Sequence, residues 1–211
     1  MIRSLAWFCA DHYGLYSPAR ESFTRPTPAA EELLAIVNRP VKYFSRMTRE
    51  TKAGLCAASL VLRDLAPDGT LRQEVGLLAA GEDGCVPANQ TYFHDYVTAG
   101  RSMGRGNLFI YTLPTSTLGE LAIALALTGP TMYVHADRAP LATLLHQAMQ
   151  LVADGEAEAI LTLWSNAEAS VCMLLQRDVP GMASIKLPES GSPLEIARAF
   201  YDKVSAEASR E

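Results

Sequence analysis

The sequence predicts an α/β protein with a mixed, mostly five-stranded sheet and helices on both faces. Short apolar runs alternate along the chain with segments whose apolar residues recur at helical spacing. The last two strand-like runs read as a hairpin, which makes the sheet mixed rather than wholly parallel. With 211 residues, of which 49% are hydrophobic and 19% charged, the chain can bury one core, so we expect a single domain over residues 1–211.

The first half of the chain predicts one strand and two helices. An apolar run marks a first strand at residues 3–10. Residues 14–40 are rich in Pro, Thr and Ser and predict an irregular surface segment, interrupted by a short helix at 29–37. Leucine and alanine at helical spacing then predict a long helix over residues 45–65.

The middle of the chain alternates strands and helices. An apolar run predicts a strand at 75–80, followed by a short helix at 91–99 and a mobile, glycine-rich loop at 100–106. The apolar segment 116–127 predicts a helix. The run at 131–136, which follows a Gly-Pro pair, predicts a buried strand.

The last third predicts an amphipathic helix and the closing hairpin. A clear leucine stripe marks the helix at 141–152, and an apolar run marks a strand at 159–164. The runs at 170–176 and 182–187 predict the two strands of a hairpin. A terminal helix is expected at 193–206.

Composition excludes several classes of function. The chain has 18 basic and 23 acidic residues, a net charge of −5, which does not suit a nucleic-acid surface. The longest clean apolar run, 121–127, falls far short of the roughly 20 residues that a membrane span needs. The four cysteines form no C-x-x-C pair and no metal-ligand pattern. We therefore expect a cytoplasmic protein with reduced thiols, no metal and no cofactor.

Two stretches of the sequence resemble the N-terminal half of a β-ketoacyl synthase, a member of the thiolase-fold family. The first is Ser45-Arg46-Met47-Thr48-Arg49, which opens the long helix. The second is a series in the order and spacing of the family: Leu113-Pro114-Thr115, the apolar helix, Leu127-Thr128-Gly129-Pro130, a strand, an amphipathic helix and Asp154-Gly155-Glu156-Ala157-Glu158-Ala159. The resemblance covers residues 45–166 and implies half of a thiolase-like fold.

The departures from the family pattern concern catalysis. Active ketosynthases carry a nucleophilic Cys at the start of the helix after the Gly-Pro strand, and counting from both Gly129 and Gly155 places Arg138 there. Arginine cannot form an acyl thioester. The family's C-terminal half supplies two histidines, and no His follows His146 in this chain. The resemblance therefore implies no catalytic residue and a subunit that is inactive alone; if active, it would be an acyltransferase of the 3-oxoacyl-acyl-carrier-protein synthase type.

Arg138 allows two interpretations. It is either a solvated residue of a first helical turn, paired with Asp137 or Glu168, or a group that reaches across a dimer to a carboxylate or phosphate. Cys85 is not expected to act as an alternative nucleophile, because Asp83 lies near it and no cation does.

The resemblance also implies partners. Family members dimerise through the strand before the nucleophile helix, and here that strand carries no blocking Lys or Pro. The expected interface residues are Thr131, Met132, Tyr133, Val134, His135 and Ala136. The partner is either a full-length ketosynthase, giving a heterodimer, or a second copy, giving a homodimer. An acyl carrier protein is a further candidate partner, with Arg101 and Arg105 as possible contacts.

Ketosynthase relatives without the nucleophile include chain length factors, which shape the tunnel of an active partner in fatty-acid, aryl-polyene or polyketide synthesis. The resemblance makes this accessory role the leading hypothesis. The acyl-tunnel candidates are Leu108, Phe109, Tyr111 and Met132. Two alternatives stay open: a structural or ligand-binding homodimer with no chemistry, and an acyltransferase with a different nucleophile. The latter needs a Cys or Ser on an elbow with a nearby His, and the sequence shows no such pattern.

Overall fold

The computed structural model describes residues 2–17, 22–67, 71, 74–81, 84–135, 140–166, 168–177, 195, 196 and 199. Seven strands lie within this part of the chain: β1 (Ile2–Cys9), β2 (His12–Tyr16), β3 (Phe23–Pro26), β4 (Val75–Gly81), β5 (Thr131–Tyr133), β6 (Ala159–Ser165) and β7 (Ala169–Gln176). They form one mixed sheet in the order β3-β2-β1-β7-β6-β4-β5. The predicted α/β class is confirmed, and the sheet has seven strands rather than five.

The strand directions bring several chain segments to one edge of the sheet. β4 runs parallel to β5 and β6, whereas β7 runs antiparallel to both β6 and β1. The carboxyl ends of β1, β4, β5 and β6 therefore lie together, next to the start of β7. Ligands of open α/β sheets bind at this kind of edge.

Six helices cover the sheet: α1 (Leu33–Val37), α2 (Arg49–Leu62), α3 (Val86–Thr98), α4 (Gly106–Phe109), α5 (Thr115–Leu125) and α6 (Pro140–Asp154). One core cluster joins α1, α2 and α5 to the sheet, around buried residues such as Leu55, Leu121 and Leu161. A second cluster packs α6 against the other face, around Leu144, Ile160 and others. Helices on both faces were expected and are confirmed.

Two strands at the start of the chain were not predicted. Residues 14–40 were expected to be irregular, but β1 and β2 form a hairpin and β3 extends it. Aromatic packing explains this difference, because the Tyr13 ring lies 5.7 Å from that of Phe8 and 5.8 Å from that of Phe23. Gly14 lies opposite Trp7, where a Cβ atom would approach the indole to 2.1 Å.

Two helices begin at residues other than those that the sequence predicts. The long helix begins at Arg49 rather than Ser45, because the Thr48 hydroxyl accepts a hydrogen bond from the Thr51 N–H at 3.1 Å and caps it. A 3-10 turn occupies Phe44–Arg46 instead. The predicted helix at 91–99 begins earlier, at Val86, with a proline in its first turn.

The closing segments are only partly described. β7 was predicted as half of a hairpin with residues 182–187, but it pairs with β6 and β1. The predicted strand at 182–187 lies outside the described residues. Of the predicted helix at 193–206, three described residues are helical: Glu195, Ile196 and Ala199. Ile196 is buried in the core on the α6 face.

The connection from α5 to β5 lies directly on β4. The Gly129 N–H donates to the Val75 carbonyl at 3.0 Å, and the Leu77 N–H donates to the Pro130 carbonyl at 2.8 Å. A Cβ atom at Gly129 would lie 2.7 Å from the Val75 carbonyl carbon. Only glycine permits this approach, which accounts for the Gly-Pro pair in the sequence.

β5 differs from the buried strand expected at 131–136. It is three residues long, and β4 is its only neighbour among the described strands. Thr131 and Met132 are exposed, Tyr133 is half-buried and Val134 is buried. The strand is exposed because it closes the sheet at an edge.

The described residues contain no single helix that is long and apolar enough to cross a membrane. Gly106–Thr112 and Thr115–Leu125 reach that length and composition only when taken together, and they are bent by 102°.

Candidate functional site

A cavity of about 630 Å³ opens at the edge where the carboxyl ends of the strands meet. β1 contributes Phe8 and Cys9 to its lining, β4 contributes Ala79 and Ala80, and β5 contributes Tyr133. Its size falls within the range typical of small-molecule sites. The cavity is therefore the main candidate for ligand binding in the described part of the chain.

Three helices begin at this cavity. The first turns of α2, α3 and α5 all contribute lining residues, among them Glu50, Cys85 and Thr117. Helix amino termini carry a partial positive charge and free N–H groups, which favour an anionic or strongly polarised group. The charged side chains in the lining are of both signs: Arg49, Glu50, Lys52 and Glu168.

A threonine chain ties two of these helix starts together. The Thr51 hydroxyl lies 2.8 Å from that of Thr48 and 2.8 Å from that of Thr117. Thr48 and Thr117 line the cavity, whereas Thr51 is buried behind them. This hydrogen-bonded chain fixes α5 against α2 and so fixes the cavity walls.

Two tyrosine hydroxyls stay neutral at the cavity. Burial raises the pKa of Tyr133, and the nearby Glu50 and Cys85 raise it further, against a hydrogen bond with the Gly81 backbone. Burial, together with the Glu120 carboxylate, raises the pKa of Tyr111 to about 12. The Tyr111 hydroxyl donates to Glu120 Oε1 at 3.5 Å. Both phenols are thus hydrogen-bond donors rather than bases near neutral pH.

A thiol and an imidazole meet at the turn between β1 and β2. Cys9 Sγ lies 3.3 Å from His12 Nδ1, and the thiol donates to the His12 carbonyl at 2.9 Å. Sequence reasoning missed this pair, because it placed His12 next to an irregular segment and not at the start of a paired strand. The available signal was the C-x-x-H spacing across a tight reversal of the chain.

The other cysteines occupy different environments. Burial raises the pKa of Cys56 to about 12, and it raises that of the fully buried Cys172 even further. Cys85 is half-exposed at the start of α3, and its sulfur accepts a hydrogen bond from Asn89 Nδ2 at 3.2 Å. Among the described residues, no group of three or more His, Cys, Asp or Glu side chains is arranged to hold a metal ion.

The four acyl-tunnel candidates lie in different places. Tyr111 is buried and lines the cavity. Leu108, Phe109 and Met132 lie outside its lining; Leu108 is half-buried, and the other two are exposed. The Phe109 ring packs edge-on against Tyr92 of α3, with 5.6 Å between centroids.

The expected interface residues follow the edge of the sheet. Thr131, Met132 and Tyr133 form β5, and Val134 and the exposed His135 follow it. Ala136 lies outside the described residues, and so does Arg138, which the sequence resemblance assigns to the nucleophile position.

Exposed apolar side chains are concentrated in the part of the chain that precedes and includes this edge strand. In the described part of the chain, nine of the twelve large exposed apolar side chains fall between α3 and β5. We call these nine the α3–β5 surface: Val86, Phe93, Val97, Met103, Phe109, Ile110, Leu113, Ile123 and Met132. Such a concentration is typical of a surface that another protein covers.

Comparison with known proteins gives matches among solved structures. No protein-family profile matches the sequence, and no curated protein matches it. A chain of the complex between the ketosynthase ApeO and its chain length factor ApeC, from Xenorhabdus doucetiae, is similar with a TM-score of 0.58 and 13% identity. The match covers 85% of this chain and 79% of that one, so the two chains are similar in length.

Two further matches are of the same kind. A chain of the ishigamide ketosynthase/chain length factor has a TM-score of 0.58 and 15% identity, over 89% of this chain and 63% of that one. A third match is a chain of the AntDE:AntF complex, a type II polyketide synthase acyl-carrier protein with its ketosynthase bound to the hexaketide. It has a TM-score of 0.52 and 12% identity, over 82% of this chain and 62% of that one. This chain thus spans less than two thirds of both matched chains.

The order of the sheet, the helices on both faces and these matches agree on the architecture. The chain has the thiolase-like fold of the chains found in ketosynthase/chain length factor complexes.

Proposed function

We propose that this chain is an accessory subunit of the chain-length-factor type, which pairs with a full-length ketosynthase in fatty-acid, aryl-polyene or polyketide synthesis and performs no condensation itself. The observation that carries the proposal is the edge strand β5 with the apolar α3–β5 surface beside it. The likeness to chains of ketosynthase/chain length factor complexes supports the choice of partner.

The partner would add a strand to β5 and cover the side chains next to it. No described strand pairs with the outer side of β5, and in this proposal an antiparallel strand of the partner pairs there. Met132 on β5 and the apolar groups of α3 to α5 would then be removed from water together. Burial of apolar surface contributes roughly 25 cal/mol per Å² before the costs of association.

In this proposal, the cavity of this subunit contacts the acyl chain that the ketosynthase elongates. Its lining combines apolar side chains with the neutral hydroxyls of Tyr111 and Tyr133. Such a surface suits an acyl chain with a few polar groups. The sequence resemblance places Arg138 where active ketosynthases carry the nucleophilic Cys, and arginine cannot form the acyl thioester that condensation needs. We also propose that an acyl carrier protein binds this subunit as a second partner.

Co-expression tests the partnership directly. We expect this chain to co-purify in a one-to-one complex with the full-length ketosynthase from the same source and to change the length of its products. Met132→Lys places a charge on the edge strand and should abolish the complex. Met149→Lys is the matched control, because Met149 is also exposed, at 49% against 39% for Met132, but lies on α6.

Separate elution of the two proteins, with unchanged product lengths, would contradict the proposal. A stable dimer of this chain alone that Met132→Lys dissociates, without any ketosynthase binding, would instead favour the homodimer.

A further inference from the structure

The cavity lies on the face of the sheet that α1, α2 and α5 cover. Phe8 of β1 and Leu163 of β6 line it, and both belong to the larger core cluster on that face. Their strand neighbours Trp7 and Trp164 point to the other face and belong to the cluster that packs against α6. The side chains of one face, together with the helix starts above them, therefore decide which ligand the cavity accepts.

The inner part of the cavity is apolar. Four lining side chains are at most 8% exposed: Phe8, Leu33, Leu118 and Leu163. Transfer of a hydrocarbon chain from water onto such a surface is favourable, and the gain increases with each methylene. A cavity of about 630 Å³ has room for a chain of medium length.

Two cations line the same cavity without an acidic partner. Arg49 is exposed and Lys52 is half-buried, and neither forms an ion pair with another residue in the described part of the chain. Lys52 Nζ lies 5.3 Å from the centre of the Phe44 ring, which holds the ammonium group in place. A half-buried ammonium group gains most from an anion that enters the cavity.

The remaining charges of the lining leave this preference intact. Glu50 is half-buried beside Tyr133, and Glu168 is exposed on the turn between β6 and β7. Helices α3 and α5 begin at the cavity and carry no acidic residue in their first turns. The partial positive charges of these two helix starts therefore add to the charge of Lys52.

We propose that the cavity reversibly binds a medium-chain carboxylic acid in its ionised form. The carboxylate lies beside Lys52 near the starts of α3 and α5, and the hydrocarbon chain packs against the inner apolar side chains. Binding forms no covalent bond. The expectation that acyl compounds reach this cavity rests on the proposed function, whereas the preference for a free carboxylate comes from the charges of the lining. A free acid in the cavity would exclude the acyl chain of the ketosynthase.

Isothermal titration calorimetry of the full-length protein with octanoate tests the site. Octanoate should bind at least about tenfold more tightly than octan-1-ol, which has a chain of the same length and no charge. It should also bind at least about tenfold more tightly than butyrate, which has the charge but four fewer carbons. The two comparisons separate the contribution of the carboxylate from that of the chain.

A lysine variant locates the carboxylate. Lys52→Met keeps the apolar stem and removes the charge, so it should weaken octanoate binding at least about tenfold. Lys42→Met is the matched control, because Lys42 Nζ also lies over an aromatic ring, 4.9 Å from the centre of Tyr43, but Lys42 is exposed outside the lining. It should bind octanoate normally. An unchanged midpoint of thermal unfolding shows that each variant is folded.

Four results would each overturn the proposal: no binding of octanoate, equal affinity for octanoate and octan-1-ol, equal affinity for octanoate and butyrate, or unchanged octanoate affinity in Lys52→Met. A ketosynthase complex without octanoate binding would overturn this site alone. Octanoate binding that depends on Lys52, in a chain that binds no ketosynthase, would count against the proposed function and not against this site.

Discussion

Helices α2 and α3 are similar in length but differ completely in burial. α2 has 14 residues, of which ten are buried, and it crosses the centre of the larger core. α3 has 13 residues and none is buried, although it carries Val86, Phe93 and Val97. The comparison teaches that α2 contributes to the stability of this chain, whereas the apolar side chains of α3 contribute little to the core and belong to the surface that the proposed partner would cover.

The largest effect is expected in α2. Leu55 is fully buried, so Leu55→Ala removes core packing and should lower the free energy of unfolding by about 2–5 kcal/mol. Urea denaturation measures the loss. Phe93→Ala in α3 is the comparison, because Phe93 is 63% exposed and its removal should change stability by less than about 0.5 kcal/mol. Equal decreases in the free energy of unfolding for the two variants would show that α2 and α3 do not differ in their contribution to stability.

Phe93→Ala should instead act on association. If α3 is covered by a ketosynthase, loss of this ring should weaken binding about tenfold, or about 1.4 kcal/mol. Isothermal titration calorimetry of the purified subunits measures this. Met149→Ala, outside the α3–β5 surface, should bind normally. Unchanged affinity for Phe93→Ala would remove α3 from the proposed interface.

A smaller effect is expected from the hydroxyl that caps α2. Thr48→Ala removes the acceptor for the Thr51 N–H and one member of the threonine chain, which should cost about 1 kcal/mol. Thr91→Ala in α3 also removes a helix hydroxyl, which donates to the Pro87 carbonyl on the exposed side. Thermal unfolding should show a clear decrease for the first variant and almost none for the second.

The smallest effect concerns pH. Because Tyr111 has a pKa raised from 10.0 to about 12, the folded state holds this proton more tightly than the unfolded state does. The resulting stability is fully present below pH 10 and is lost as the pH rises from 10 to 12. Over that interval Tyr111→Phe should lose less stability than the unaltered protein in urea denaturation. Parallel losses would contradict the raised pKa.

Periodicity predicted the elements that obey one simple pattern. β1, β4, β6, α5 and α6 are continuous apolar or amphipathic segments, and they lie within a few residues of their expected positions. β2 and β3 were missed because the Pro, Thr and Ser around them conceal cross-strand aromatic contacts that no local pattern records. The start of α2 was misplaced because the cap at Thr48, not the hydrophobic pattern, decides it.

The candidate site was harder to predict because its residues come from separate elements, whose contacts no local sequence pattern records. Tyr111 was identified through the family resemblance and does line the cavity. The wall of Tyr133, Glu50 and Cys85 comes from three separate elements, which only the strand order brings together. The Cys9–His12 pair depended on β2, and missing that strand meant missing the pair.

The brevity of β5 has a consequence for the proposed pairing of this chain with a partner strand. Three residues offer only a few main-chain hydrogen bonds, too few to recruit strands indiscriminately into a growing fibre. Fidelity must then come from the side chains that flank the strand. A long unprotected edge strand would bind a partner more tightly, but it would also let unpaired copies of the chain aggregate. A short edge strand binds more weakly and is more specific.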